Sequence, residues 1–119
     1  MVFLFGNNFP EWTLVTRVLR SFYGIGPKVS EGLMARFHIH KRQRIGTLGD
    51  GQINGLAADL SNMTIDNDLK RQISGNIKRL QAMGTYRGKR HAMNLPVRGQ
   101  NTRTQTKTAK KLNRLERRL

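Results

Sequence analysis

Between Gly84 and Thr104 the chain reads GTYRGKRHAMNLPVRGQNTRT, five cations without an acid. Arg87, Lys89, Arg90, Arg98 and Arg103 can donate charge-assisted hydrogen bonds to phosphate oxygens, and Gln100, Thr102 and Thr104 can bond sugars or phosphates. Tyr86 and His91 offer flat rings on which an unpaired base can stack. Gly88 and Gly99 allow close backbone approach, and Pro96 biases Leu95 toward an extended shape. Lys107, Lys110 and Lys111 prolong the charge toward the C-terminus. A solvated arm needs the charge, but it does not need Tyr86, Leu95, Pro96 and Val97. The run therefore predicts an extended strand with a defined path on a polyanion, disordered until it binds.

A second candidate lies in YGIGPKVSEGL, Tyr23 to Leu33. Gly24 and Gly26 permit a tight turn that exposes successive N–H groups, a helix begins at Pro27, and Lys28 adds a full charge. Together these make a phosphate-binding corner of the helix-hairpin-helix kind. The same residues serve equally well as a plain turn between two packed helices.

Catalytic readings find little support. Asp66 and Asp68 fit helix capping better than a carboxylate pair. His38 and His40 make a poor metal site, with two ligands and neither cysteine nor a nearby carboxylate. Ser21, Ser30, Ser61 and Ser74 have no nucleophile context, and no Walker-type glycine loop occurs. Neither a metal nor an organic cofactor is implied, and a non-enzymatic protein is expected.

Composition agrees with a polyanion partner. Twenty-two Lys and Arg against seven Asp and Glu give a net charge of +15 over 119 residues. Such a field attracts nucleic acid first. The charge is uneven, because no acid separates Asp68 from Glu116. There is no cysteine, hence no disulfide framework. The opening MVFLFG is too short for a signal-peptide core, and no run is long enough to span a membrane. A membrane-active protein is disfavoured because the apolar stripes are needed to build the core.

Those stripes set the elements that must carry the cations. Pro10 and Glu11 open a predicted helix to Phe22, with Trp12, Val15, Val18, Leu19 and Phe22 inward. A second helix is predicted over 27–37, with Val29, Leu33, Met34 and Phe37 inward, and a third over 50–63, despite Gly51 and Gly55. The clearest is a long helix from Asp66 or Asp68 to Gly84, with Leu69, Ile73, Ile77, Leu80 and Met83 as its stripe. Beyond it the segment to Thr108 is expected to be extended, and a short terminal helix can place Leu112, Leu115 and Leu119 on one side. The fold class is all-α: a helical domain over 1–64, a longer helix over 65–84 and a basic tail over 85–119.

SFYGIGPKVSEGL, LKRQISGNIKRLQAMGTYRGKRH and LPVRGQNTRT resemble, in order and spacing, the universal small-subunit ribosomal protein thirteen family, over about Phe9 to Thr108. The resemblance implies a helix-two-turn-helix domain, a long helix and a tail threaded over ribosomal RNA in the small-subunit head. It implies rRNA, small-subunit protein nineteen and large-subunit protein five as neighbours, with the tail directed at the peptidyl-site tRNA. Tyr86, Arg87, Gly88, Arg90 and His91 match one RNA-binding run of the family. Leu95, Pro96, Val97, Arg98, Gly99 and Gln100 match the next, followed by Thr102, Arg103 and Thr104. The chain departs where bacterial relatives usually carry two arginines and a glycine, here Ala92, Met93 and Asn94, and where Asn101 replaces an arginine. The ending TAKKLNRLERRL looks like mitochondrial, particularly fungal, versions, which implies the mitochondrial matrix, with the bacterial cytoplasm as the alternative. The competing function is a stand-alone helix-hairpin-helix DNA-binding module, centred on Gly24, Gly26 and Lys28.

Overall fold

The computed structural model describes residues 1–114 and divides the chain into two compact units, one from Met1 to Leu69 and one from Lys70 onward. It is all-α apart from a short hairpin. Leu115, Glu116 and Leu119 of the expected terminal helix lie outside the described residues.

The first unit opens on that hairpin, which periodicity does not announce. Strands β1 (Val2–Leu4) and β2 (Asn7–Phe9) pair antiparallel, Val2 opposite Phe9 and Leu4 opposite Asn7. Phe5 and Gly6 form the two-residue turn with φ of 47° and 83°, as a turn matched to strand twist requires. Positive φ is unusual for an aromatic residue. Here the Phe5 ring is used: it meets Phe22 edge-on at 5.7 Å, and Phe9 meets the same ring at 6.0 Å.

Helix α1 spans Val15–Arg20, shorter than the predicted 10–22. The reason is tertiary. The N–H of Val15 donates to the Gln43 carbonyl (3.0 Å), that of Ile45 to Thr13 (2.8 Å) and that of Gly46 to Glu11 (3.0 Å). Residues 11–15 thus spend their backbone groups on the 43–46 segment, which local helix preference cannot match. Gly46 is required there, because a Cβ would stand 2.7 Å from that of Glu11. One consequence is that Trp12, expected in the core, is 66% exposed.

Helix α2 (Pro27–Arg36) starts at a proline, as predicted, and buries Ser30, Leu33 and Met34, while Val29 faces out. Its end is a Schellman motif: Ile39 N–H bonds the Met34 carbonyl and His38 N–H that of Ala35, with His38 left-handed at φ 55°. His38 is therefore a helix terminator rather than half of a metal pair. Helix α3 (Asp50–Asn62) buries Leu56 and Leu60 completely. Gln52 ties it down, accepting from Gly49 N–H and donating to the Phe37 carbonyl. Gly55 is explained by the Phe37 ring, which occupies the space a side chain there would need. The core combines these residues with Leu4, Val18, Leu19, Phe22, Ile25, Ile45 and Ile65.

The unit boundary falls inside α4 (Asn67–Ala82). Asp68 sits in its first turn, suited to the positive helix end. Asp66 takes a left-handed φ of 53°, not the extended backbone of an N-cap. The apolar stripe of α4 is half-buried at Leu69, Ile73, Ile77 and Leu80, and Met83 is exposed.

The second unit corrects the expectation of an extended segment from residue 85. Helix α5 (Tyr86–Ala92) follows α4 after a three-residue link, and α6 (Thr106–Leu112) follows an irregular stretch. Gly88, read from sequence as a loop glycine, is instead the contact that lets α5 fold back. No helix is long and apolar enough to cross a membrane among the described residues.

Candidate nucleic-acid interface

The candidate residues are carried by the α4–α5 hairpin and the segment after it. Gly84 leaves α4 at φ +69°, the conformation that ends a helix at least cost to glycine. Thr85 then joins the two helices. Its hydroxyl donates to the Leu80 carbonyl (3.1 Å) and accepts from Gly88 N–H (3.1 Å), capping α5. A Cβ on Gly88 would collide with the backbone carbonyl of Leu80 and come within 2.7 Å of Gln81 N. The close approach for which glycine is needed is thus of protein backbone. His91 is equally internal, only 6% exposed, so its ring is a packing group of the hairpin and not a stacking platform.

The other ring is placed differently. Tyr86 is 74% exposed, and the Arg90 guanidinium carbon lies 6.0 Å from its ring centroid. The Arg90 Nε donates to the Pro96 carbonyl at 2.9 Å. Arg90 therefore links the exposed ring to the LPVRGQ segment, while Pro96 itself is buried. Between them α5 ends in a second Schellman motif, Leu95 N–H to the Arg90 carbonyl (2.9 Å) and Asn94 N–H to that of His91 (3.1 Å).

Asn94 holds the left-handed position at φ 57°. Asn tolerates that conformation better than other residues with a side chain. This accounts for one departure from the bacterial pattern: Asn94 stands where a glycine is usual, and the backbone requirement is preserved. Asn94→Gly is expected to leave thermal stability within about 0.5 kcal/mol, whereas Asn94→Val, β-branched at positive φ, should cost about 1–3 kcal/mol by denaturant titration. Ala92 and exposed Met93 do remove two charges relative to that pattern.

Arg87, Lys89, Arg98, Gln100, Thr102, Arg103 and Thr104 are exposed, as are Lys107, Lys110 and Lys111 on α6. Gly99 turns the chain at φ +75°. Asn101, the second departure, forms an Asx turn: its Oδ1 accepts from Arg103 N–H and its Nδ2 donates to Thr104 Oγ1, both at 2.9 Å. It orders the TRT segment that follows. From Lys70 to Arg114 the chain has no carboxylate side chain, so the charge carried by these residues is positive throughout.

The glycine turn belongs to the first unit. Gly24 has φ +100°, and a Cβ there would stand 2.7 Å from Leu69 Cδ2. Its glycine is fully explained by turn and packing. Gly26 is the N-cap of α2 with no side-chain cap bond, and Lys28 is exposed. Among the described residues no group of three His, Cys, Asp or Glu is placed to hold a metal.

A helical chain whose residues 70–114 are cationic and free of carboxylate side chains has the charge pattern of a basic protein suited to a polyanion. Residues 4–108 match the family model for ribosomal protein S13/S18. The chain is 54% identical over 117 residues to small ribosomal subunit protein uS13m of Neurospora crassa, covering 98% of each chain. It is 45% identical over 118 residues to small ribosomal subunit protein uS13m of Schizosaccharomyces pombe, covering 99% of this chain and 78% of that one. The chain belongs to the ribosomal protein S13 family, in its mitochondrial version. It is a non-enzymatic structural constituent of the small subunit of the mitochondrial ribosome, in the matrix.

Proposed function

We propose that the chain holds small-subunit rRNA in the head through the second unit, and that it contributes to intersubunit and peptidyl-site tRNA contacts. The observation that carries this reading is the ordered cationic surface on α5, the following loop and α6, free of any carboxylate side chain. Arg87, Lys89, Arg98 and Arg103 meet phosphates, Tyr86 stacks on an unpaired base, and the hairpin fixes their spacing. Lys107, Lys110 and Lys111 extend the track. Residues 1–64 serve as the helical domain, 65–84 as the connecting helix and 85–119 as the rRNA-binding part. Small-subunit protein nineteen and large-subunit protein five are the proposed protein neighbours, on the family resemblance.

Sedimentation of mitochondrial extracts carrying a tagged chain tests the reading. The tag should travel with small subunits at high salt and crosslink to rRNA through residues 86–111. A chain that leaves the subunit at moderate salt, or crosslinks only through residues 24–28, overturns it.

A further inference from the structure

We propose a second RNA contact, in the first unit, where Trp12 and the outer face of α1 form a seat for one unpaired nucleotide. This rests on the rRNA-binding reading but uses residues outside the tail and the glycine turn. Trp12 is 66% and Leu14 41% exposed, although the backbone on which they stand is pinned by the bonds of residues 11–15 to 43–46. Thr13 beneath them is buried. The indole is therefore presented outward by a rigid support, not left out by a loose loop.

Beside it lies an open cleft of about 680 Å³, bounded by Trp12, Thr16, Arg17, Arg20 and Ser21. Both arginines are exposed, and among the described residues no carboxylate lines the cleft. The nearest acid in sequence, Glu11, faces the N-terminal ammonium of Met1 at 3.5 Å. The Ser21 hydroxyl donates to the Val18 carbonyl at 2.6 Å, so what it still offers is acceptor capacity.

One flat ring, two guanidinium groups and hydroxyl acceptors are what a nucleotide needs. The base stacks on Trp12, its flanking phosphates bond Arg17 and Arg20, and Ser21 and Thr16 face the base edge or the 2′-hydroxyl. A protein partner is a poorer fit. A stable interface needs about 800 Å² per side with an apolar centre, and among the described residues Trp12 and Leu14 are the only bulky apolar side chains lining the cleft.

Trp12 is the sole tryptophan, so its emission reports on this site alone. The full-length chain is titrated with a short single-stranded oligoribonucleotide, following tryptophan emission with unlabelled RNA and total binding by anisotropy of labelled RNA. Stacking should quench the emission by about half. Arg17→Gln with Arg20→Gln should raise the midpoint of quenching about ten-fold, with far-UV circular dichroism unchanged. Trp12→Ala should weaken total binding at least five-fold, as loss of one stacked base does. Anisotropy that rises without quenching overturns this site and leaves the tail reading standing. Absence of both overturns the two together. Quenching indifferent to the arginine changes overturns the phosphate seating, and quenching by polyglutamate but not by RNA overturns the nucleotide in favour of an acidic protein.

Discussion

Gly88→Ala is expected to destabilise the second unit by about 3 kcal/mol, at the upper end of what overpacking costs. Inside a helix, alanine normally gains about 1 kcal/mol over glycine. Here the added carbon meets the Leu80 carbonyl and Gln81 N, which are backbone atoms of α4 and cannot swing aside. Closing the hairpin then requires α5 to lift away. That breaks the Thr85 cap and exposes His91. Hydrogen exchange should show lost protection from Leu80 to Ala92, with the first unit unaffected. RNA affinity should fall as well, although no charge is removed, because Arg87, Lys89 and Arg90 lose their common support. A variant as stable as the parent would show that the α4–α5 contact is not made.

Replacing Arg87, Lys89, Arg98 and Arg103 together by Gln should act in the opposite sense, on binding without stability. All four are exposed, and no carboxylate lies between Asp68 and Glu116. Each phosphate contact contributes about one unit to the slope of log affinity against log salt. The quadruple change should therefore flatten that slope by about three to four, and affinity should fall at low salt far more than at high salt. Thermal melting should be unchanged or slightly raised by relief of self-repulsion. Filter binding to a structured rRNA fragment at several salt concentrations checks both. An unaltered slope would place the phosphate contacts elsewhere, for example at Lys70, Arg71, Lys78 and Arg79 of α4.

Arg90 was left out of that set because its role differs. Its Nε is engaged by the Pro96 carbonyl and its guanidinium lies near Tyr86, so its loss would disturb geometry as well as charge. The two departures from the bacterial pattern divide in the same way. Asn94 and Asn101 preserve or create local backbone order, whereas Ala92 and Met93 lower the charge.

The all-α class, α2, α3 and α4, the charge asymmetry and the family were legible in the residues, because each rests on local information. Pro27 at a helix start, Gly84 at a helix end and a period near 3.6 in Leu69, Ile73, Ile77 and Leu80 need no distant partner to be recognised. The N-terminal hairpin was not legible, since Phe5 at positive φ depends on Phe22, seventeen residues on. Trp12 was misplaced for the same kind of reason: its apolar spacing fits a helix, but residues 43–46 claim the backbone.

The tail shows the division most clearly. The residues of GTYRGKRHAMNLPVRGQNTRT by themselves determined a positive, acid-free segment with phosphate and stacking chemistry, because charge and side-chain type do not depend on fold. Only the tertiary structure decided that its first half is a helix, that Gly88 and His91 face protein, and that Tyr86 with Arg87 and Lys89 faces solvent. A seven-residue helix is too short to stand by propensity; the approach of Gly88 to Leu80 and the Thr85 cap hold it, and those partners lie on the other arm of the hairpin or in its link.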